Sequence, residues 1–310
     1  MGSNISVSKR ITIIGYSTIF IVVSYFLLLK SSPIFFNIFS FFPLLLIGSI
    51  LNLRLTLLSF FISGLIIFSI FFTIIENSNF NLDYLLSNIF LTFFLSFLFI
   101  YLIKYKKSSF GDILTRYTLC SSSILIYIFI FTFSDQMYAI FEEIKNQYKS
   151  IFSEKSKINE SDLDNLFNSI NTIFPAINFI IHLSTILFNY YISTVILRKY
   201  NFVTNPKIDF KKFEQENWLL YLLIFLIFTA LISNNNLHIF SLNLCISISF
   251  IFFVKGLEIF YLYLNRFNKE RLFKNFLVFF IFIFFGYFLI FSLFFVGVMD
   301  KLKKIFKKVQ

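Results

Sequence analysis

Stretches of roughly twenty almost uninterrupted apolar residues recur along this chain, from Ile11–Leu29 to Phe276–Val298, and a helix of that length crosses a bilayer core of about 30 Å. Inside lipid every backbone polar group needs a partner within the protein, so such runs fold as helices. The chain reads as an all-α polytopic membrane protein. Apolar residues make up 58% of its 310 positions and the mean hydropathy is +0.81, well above what a soluble core of this length carries. The 51 phenylalanines do not by themselves mark an aromatic ligand cage. Phe, Ile, Leu, Asn and Lys are abundant together, as an AT-rich coding sequence produces.

The spans fall at Ile11–Leu29, Ile34–Ile50, Leu55–Ile75, Leu85–Ile103, Tyr117–Phe133, Ala176–Leu197, Leu219–Ser233, Ile239–Leu264 and Phe276–Val298. The formal charge of +11 is gathered in short clusters at the ends of these runs, a pattern of topology signals and anionic-lipid contacts. It points to the lipid bilayer as partner and away from nucleic acid. Lys9/Arg10, Arg54, Lys104/Lys106/Lys107/Arg116, Arg198/Lys199/Lys207/Lys211/Lys212 and Arg266/Lys269/Arg271/Lys274 lie on alternate sides in chain order, so all are assigned to the cytoplasm together with the N-terminus. Ile11–Leu29 follows Lys9-Arg10 as the apolar part of a signal peptide does, but it is long and lacks a small-residue cleavage site. It is expected to stay as the first span.

Nine crossings would leave Lys301, Lys303, Lys304, Lys307 and Lys308 outside, against the charge rule. The expectation is therefore eight full crossings, with the last segment bending near Gly286 or with Ile34–Ile50 or Leu219–Ser233 re-entrant. The basic tail 299–310 would then lie on anionic lipid. The whole chain, 1–310, is expected to form a single integral membrane domain, a bundle of eight to nine transmembrane helices.

One sizeable polar element interrupts the spans. Across 134–174, Met137, Ile140, Phe141, Ile144, Tyr148, Ile151 and Phe152 recur at helical spacing, as do Leu163, Leu166, Phe167, Ile170, Ile173 and Phe174. Two amphipathic helices follow, capped by Ser134 or Asp135 and by Asn159, and joined through Ser153–Lys157. This external hairpin is either an interfacial cap on the bundle, or a lid over a cavity or a partner-docking surface.

Motifs for local catalysis are absent. No G-x-x-x-x-G-K-[ST], H-E-x-x-H or G-x-S-x-G occurs, so no enzyme activity and no cofactor is expected. His182 and His238 stand a span apart and make no metal site alone. Cys120 and Cys245 lie inside apolar runs and read as small buried residues. Ionisable groups within the spans are limited to His182, Lys255 and Glu258, the last two spaced to pair.

The one polar constellation on a span is Asn178, His182, Thr185, Asn189 and Ser193. Their four- and three-residue steps place all five within about 80° of one helix face. Such a stripe turns away from lipid, as helix-to-helix glue or as the wall of a ligand site. Asn88, Thr92 and Ser96 repeat this pattern on an earlier span, and Cys120-Ser121-Ser122-Ser123 offers small side chains for close helix contact.

Pro43-Leu44-Leu45-Leu46-Ile47-Gly48 before a basic turn, Pro175 after the external helix, Asn189 followed by Arg198-Lys199, Asn205-Pro206 before Trp218, Gly256 late in the penultimate span, and Gly297-Val298-Met299-Asp300 before a basic tail together resemble the YybS-like family of bacterial membrane proteins. Relatives tend to carry an arginine after that aspartate, where this tail has only lysines. The family is distantly similar to the S components of energy-coupling-factor transporters and to the cell-shape protein MreD. The resemblance implies a helical protein of the bacterial inner membrane and carries no catalytic residue. Two roles follow as expectations: a protein that binds a small solute or lipid and works with a transporter energising module, or a scaffold for envelope-assembly proteins.

Overall fold

The computed structural model describes residues 7–31, 33–75, 82–105, 109–131, 139, 141–148, 160–200, 214–264 and 271–309, and among these there is no strand. The helices are α1 (Val7–Ser31), α2 (Pro33–Phe39), α3 (Phe42–Ile50), α4 (Leu53–Ile75), α5 (Leu82–Tyr105) and α6 (Phe110–Phe131). They continue with α7 (141–148), α8 (Glu160–Lys199), α9 (Trp218–Ile232), α10 (Asn235–Leu264) and α11 (Arg271–Val309). The hairpin caps Ser134, Asp135 and Asn159, the link Ser153–Lys157 and the cations Lys106, Lys107, Lys207, Lys211, Lys212, Arg266 and Lys269 lie outside the described residues.

Five described helical segments are long and apolar enough to cross a membrane: Ser8–Leu28, Leu53–Ile70, Phe110–Phe131, Ser161–Lys199 and Asn235–Leu264. Phe35–Ile50, Ile89–Lys104 and Trp218–Ile232 are shorter apolar segments. The surface chemistry supports a lipid environment. On α4, Thr56, Ser59 and Ser63 are fully buried, whereas Phe61 is 63% and Leu65 52% exposed. Small hydroxyls turned inward and phenylalanines turned outward suit hydrocarbon surroundings, where close helix contact and not water exclusion drives association.

The chain divides into two compact units: 1–107 with 182–207, and 108–181 with 208–310. In the first, α1 packs on α4, α4 on α5, and α3 on α1 and α5. Its core gathers Ile21, Tyr25, Phe36, Leu44, Phe60, Ile67 and Ile89, with the Tyr25 ring edge-on to Phe36 at 5.8 Å. In the second, α10 is central and touches α6, α9 and α11. Here α10 and α11 approach backbone to backbone. A Cβ on Gly256 would stand 1.9 Å from the Leu293 carbonyl oxygen, and one on Gly297 2.0 Å from that of Phe252. Only glycine fits such a crossing.

Three sequence expectations change. The Ile34–Ile50 run is two helices with a turn at Ser40–Phe41; Pro43, near the start of α3, has no N–H and its ring excludes the Phe39 carbonyl from a continuous helix. Helix α11 continues through Gly286 to Val309 without a break. The basic tail is the end of that helix, with Lys301 only 6% exposed and donating to the Gln215 carbonyl. The second hairpin helix likewise does not end at Pro175 but runs on into the span as the 40-residue α8.

Both hairpin helices are helical where described, and their apolar faces meet each other. Phe141 lies 5.3 Å from Phe174 and Tyr148 6.0 Å from Phe167, ring to ring. Lys145 bridges them, 2.9 Å from Glu142 and 3.0 Å from Asp164. These two carboxylates, Glu142 first, push its ammonium up to about 12.

Candidate functional site

Two prolines interrupt backbone hydrogen bonding inside this protein, and a buried asparagine answers each. At Pro175, within α8, the ring removes one N–H and opens the turn. The next N–H, of Ala176, donates to Asn243 Oδ1 at 2.8 Å, and the Thr172 carbonyl accepts from Asn243 Nδ2 at 2.7 Å. One amide thus bridges the donor and acceptor that an uninterrupted helix would join to each other. The second hydrogen of Nδ2 goes to the Ile239 carbonyl at 2.7 Å, and Asn243 is fully buried.

Asn189 meets the break before Pro43. Its Nδ2 donates to the Ile38 carbonyl in the last turn of α2 at 2.6 Å and to Thr185 in its own helix at 2.8 Å. It is fully buried, as is Ser193, and neither Asn189 Oδ1 nor Ser193 Oγ has a hydrogen-bond partner among the described residues. The rest of the stripe is less enclosed. His182 is partly buried, edge-on to the Phe41 ring at 5.9 Å. Thr185 is partly buried beside it. Asn178 is also half-buried but belongs to the second unit, since the boundary falls between Ile181 and His182. Within the stripe, Asn189 Nδ2 bonds the Thr185 backbone carbonyl, and the contacts to other elements include those of Asn189 to Ile38 and His182 to Phe41.

The polar chemistry is denser where α6 and α9 begin, in the second unit. A cleft of about 700 Å³ there is lined by Ser109, Asp112, residues 214–218, Lys255, Asp300, Lys301, Lys304 and Lys307. Its floor is built from backbone contact. Ser109 Oγ donates to the Glu214 carbonyl at 3.1 Å, and Gly111 lets that carbonyl approach so closely that a Cβ would stand 2.1 Å from it. Gln215 is buried and its Nε2 donates to the Ile251 carbonyl at 3.0 Å. These contacts hold the start of α9 against α6, α10 and α11.

Charges of both signs ring this floor. Arg116 Nε pairs with Asp112 at 2.8 Å, and its Nη2 reaches Glu216 at 3.6 Å. The other Glu216 oxygen accepts from the Trp218 indole at 2.6 Å. Lys255 pairs with Glu258 at 2.6 Å and stands 4.0 Å from Asp300, which Lys304 approaches to 3.4 Å. Lys301, Lys304 and Lys307 follow each other at three-residue spacing on one face of α11.

The profile of a family described as "Predicted membrane protein (DUF2232)" matches residues 18–301. The chain belongs to this family. The YybS-like resemblance read from the sequence agrees with it. No curated protein and no solved structure matches the chain. Of the DUF2232 chain's other sequence signals, the Lys255–Glu258 pair is formed, and His238 is engaged by the Ala230 carbonyl at 2.6 Å. Ser121 and Ser122 are fully buried, as is Ser96, with Thr92 nearly so; the Asn88 side chain lies outside the described ones. Cys120 is exposed on the helix surface and Cys245 partly buried, both as free thiols. No group of three metal-ligating side chains occurs among the described residues.

Asn243, Gln215 and the cleft carry no signal of their own in the sequence pattern. A lone Asn in an apolar run carries no periodicity, and the cleft joins residues almost two hundred positions apart. The signal available was Pro175 within a helical pattern, which requires a buried polar partner somewhere.

Proposed function

We propose that this DUF2232 protein is a non-enzymatic solute-binding protein of the bacterial inner membrane, and that its site is the charged cleft of the second unit. The observation that carries this reading is the cleft's opposed composition. Asp112 comes from the start of α6, Glu214 and Glu216 from the segment before α9, and Lys301, Lys304 and Lys307 from α11, around about 700 Å³. Fixed charges of both signs at one concave surface suit a small zwitterion, whose cationic and anionic ends each find a counter-charge. The polar stripe on α8 then serves helix contact. An S-component-like role, in which partner proteins supply the energy, accommodates a site of this kind.

The test is ligand-dependent melting of the full chain in mild detergent, with amino acids and other small zwitterions set against neutral sugars. A zwitterion present at about 100 times its Kd stabilises by about 2.7 kcal/mol and raises the melting temperature by several degrees. The double substitution Glu214→Gln with Lys307→Gln, both at cleft-lining positions with exposed side chains, is expected to remove that shift and leave the unliganded melting temperature unchanged. Co-purifying envelope-assembly proteins, with no solute shifting the melt, would replace this reading by that of an MreD-like scaffold.

A further inference from the structure

The first unit carries a separate cavity of different chemistry. A groove of about 380 Å³ runs between α4 and α5, lined by Leu57, Phe60, Phe61, Gly64, Leu65 and Phe68 on one side and Ile89, Phe90, Phe93 and Phe97 on the other. Among the described residues no polar side chain lines it. Gly64 keeps its middle open: a Cβ there would meet nothing nearer than the Phe93 ring at 3.8 Å. The rim residues Phe61 and Phe90 are 63% and 72% exposed, so the groove opens on the lipid-facing surface. Water has no partners in such a space.

The two lining stripes continue beyond the groove, and both end in a cation. On α4 the stripe 57, 60, 61, 64, 65, 68 extends back by three residues to Arg54, an exposed side chain. On α5 the step from Phe93 to Phe97 extends through Tyr101, whose ring lies 6.4 Å from that of Phe97, to Lys104. Lys104 donates to the Leu51 carbonyl, just before α4, which sets both cations at the same end of the α4/α5 pair. From Arg54 the lined portion of α4 reaches to Phe68, about 20 Å at 1.5 Å per residue. A cationic mouth followed by an apolar groove of that length has the shape of one phospholipid chain beneath an anionic headgroup.

We propose that the α4/α5 groove is a binding site for an anionic phospholipid, one hydrocarbon chain lying against Gly64 and the phosphate held at Arg54 with Lys104 close by. The site lies outside the solute cleft and stands or falls independently of it. Native mass spectrometry of the full chain, released from nanodiscs of equal phosphatidylglycerol and phosphatidylcholine, counts the lipid that stays bound. Wild type is expected to retain one phosphatidylglycerol in preference to phosphatidylcholine. Arg54→Gln is expected to cut that preference about fivefold, the weight of one cation at a lipid surface. Gly64→Leu, which fills the groove, is expected to lower retention of both lipids, and the control Arg198→Gln to change neither. Equal retention of the two lipids by wild type, an unchanged preference in Arg54→Gln, or the same loss in Arg198→Gln would each overturn the proposal. Melting temperatures of the variants, measured alongside, confirm that each has folded.

Discussion

The two units close their helix contacts in opposite ways. In the second, Gly256, Gly297 and Gly111 each admit a neighbouring backbone so close that any Cβ would overlap a carbonyl, and Asn243 uses both amide hydrogens and its oxygen. In the first, Gly48 meets the flexible side chain of Ile100 and a Cβ on Gly64 would make only ordinary contact with the Phe93 ring at 3.8 Å, while Asn189 leaves its oxygen without a partner among the described residues. A helix pair locked through its backbone holds surrounding side chains in place, which is what a charged cleft requires of its floor. A pair separated by side chains leaves room for a lipid chain. Fixed charge and open groove therefore fall in different units for a common packing reason.

Substitutions measured by reversible unfolding in mixed micelles should rank in that order. Gly256→Val is expected to cost most, on the order of 3 kcal/mol or more, because a carbonyl and not a flexible side chain stands in the way. A loss under about 1 kcal/mol would mean that α10 and α11 can part, and the contrast between units would fail. Asn243→Leu strands the Ala176 N–H and the Thr172 carbonyl at the Pro175 break and is expected to cost about 1–3 kcal/mol. Pairing it with Pro175→Ala should recover part of the loss, since the restored helix satisfies its own carbonyl. Asn189→Leu removes one contact to another helix and is expected to cost about 0.6–1.7 kcal/mol. Gly64→Ala should lie within about 0.5 kcal/mol of wild type, since its methyl meets the Phe93 ring at an ordinary 3.8 Å and displaces nothing. Equal losses for Asn243→Leu and Asn189→Leu would remove the distinction between the two amides.

Much of the helical layout was legible in the sequence, because long apolar runs in lipid leave the backbone few alternatives. The nine runs are helical where described apart from the Ser40–Phe41 turn and the terminal Ser233, and Lys104 reaches Leu51 at the Arg54 end of α4, as the charges at the ends of these runs required. What misled was punctuation. Pro43 split one run and Pro175 did not, and the difference is tertiary: Asn243 arrives from another helix to satisfy the opened turn at Pro175. Periodicity on one helix cannot report that. The stripe on α8 was visible for the same reason that its role was ambiguous, since polar residues at helical spacing look alike whether they face a ligand or the end of α2. The cleft was invisible because Asp112, Glu214 and Lys304 share no local pattern.

The proposed function puts solute in the charged cleft and leaves the α8 stripe to helix contact. The most direct measurement is mass-spectrometric identification of small molecules released from the protein after purification in mild detergent. Wild type is compared with Glu214→Gln/Lys307→Gln and with His182→Leu/Asn189→Leu. A zwitterionic solute is expected on wild type, retained by the stripe variant and lost from the cleft variant. Loss from the stripe variant with retention by the cleft variant would contradict it.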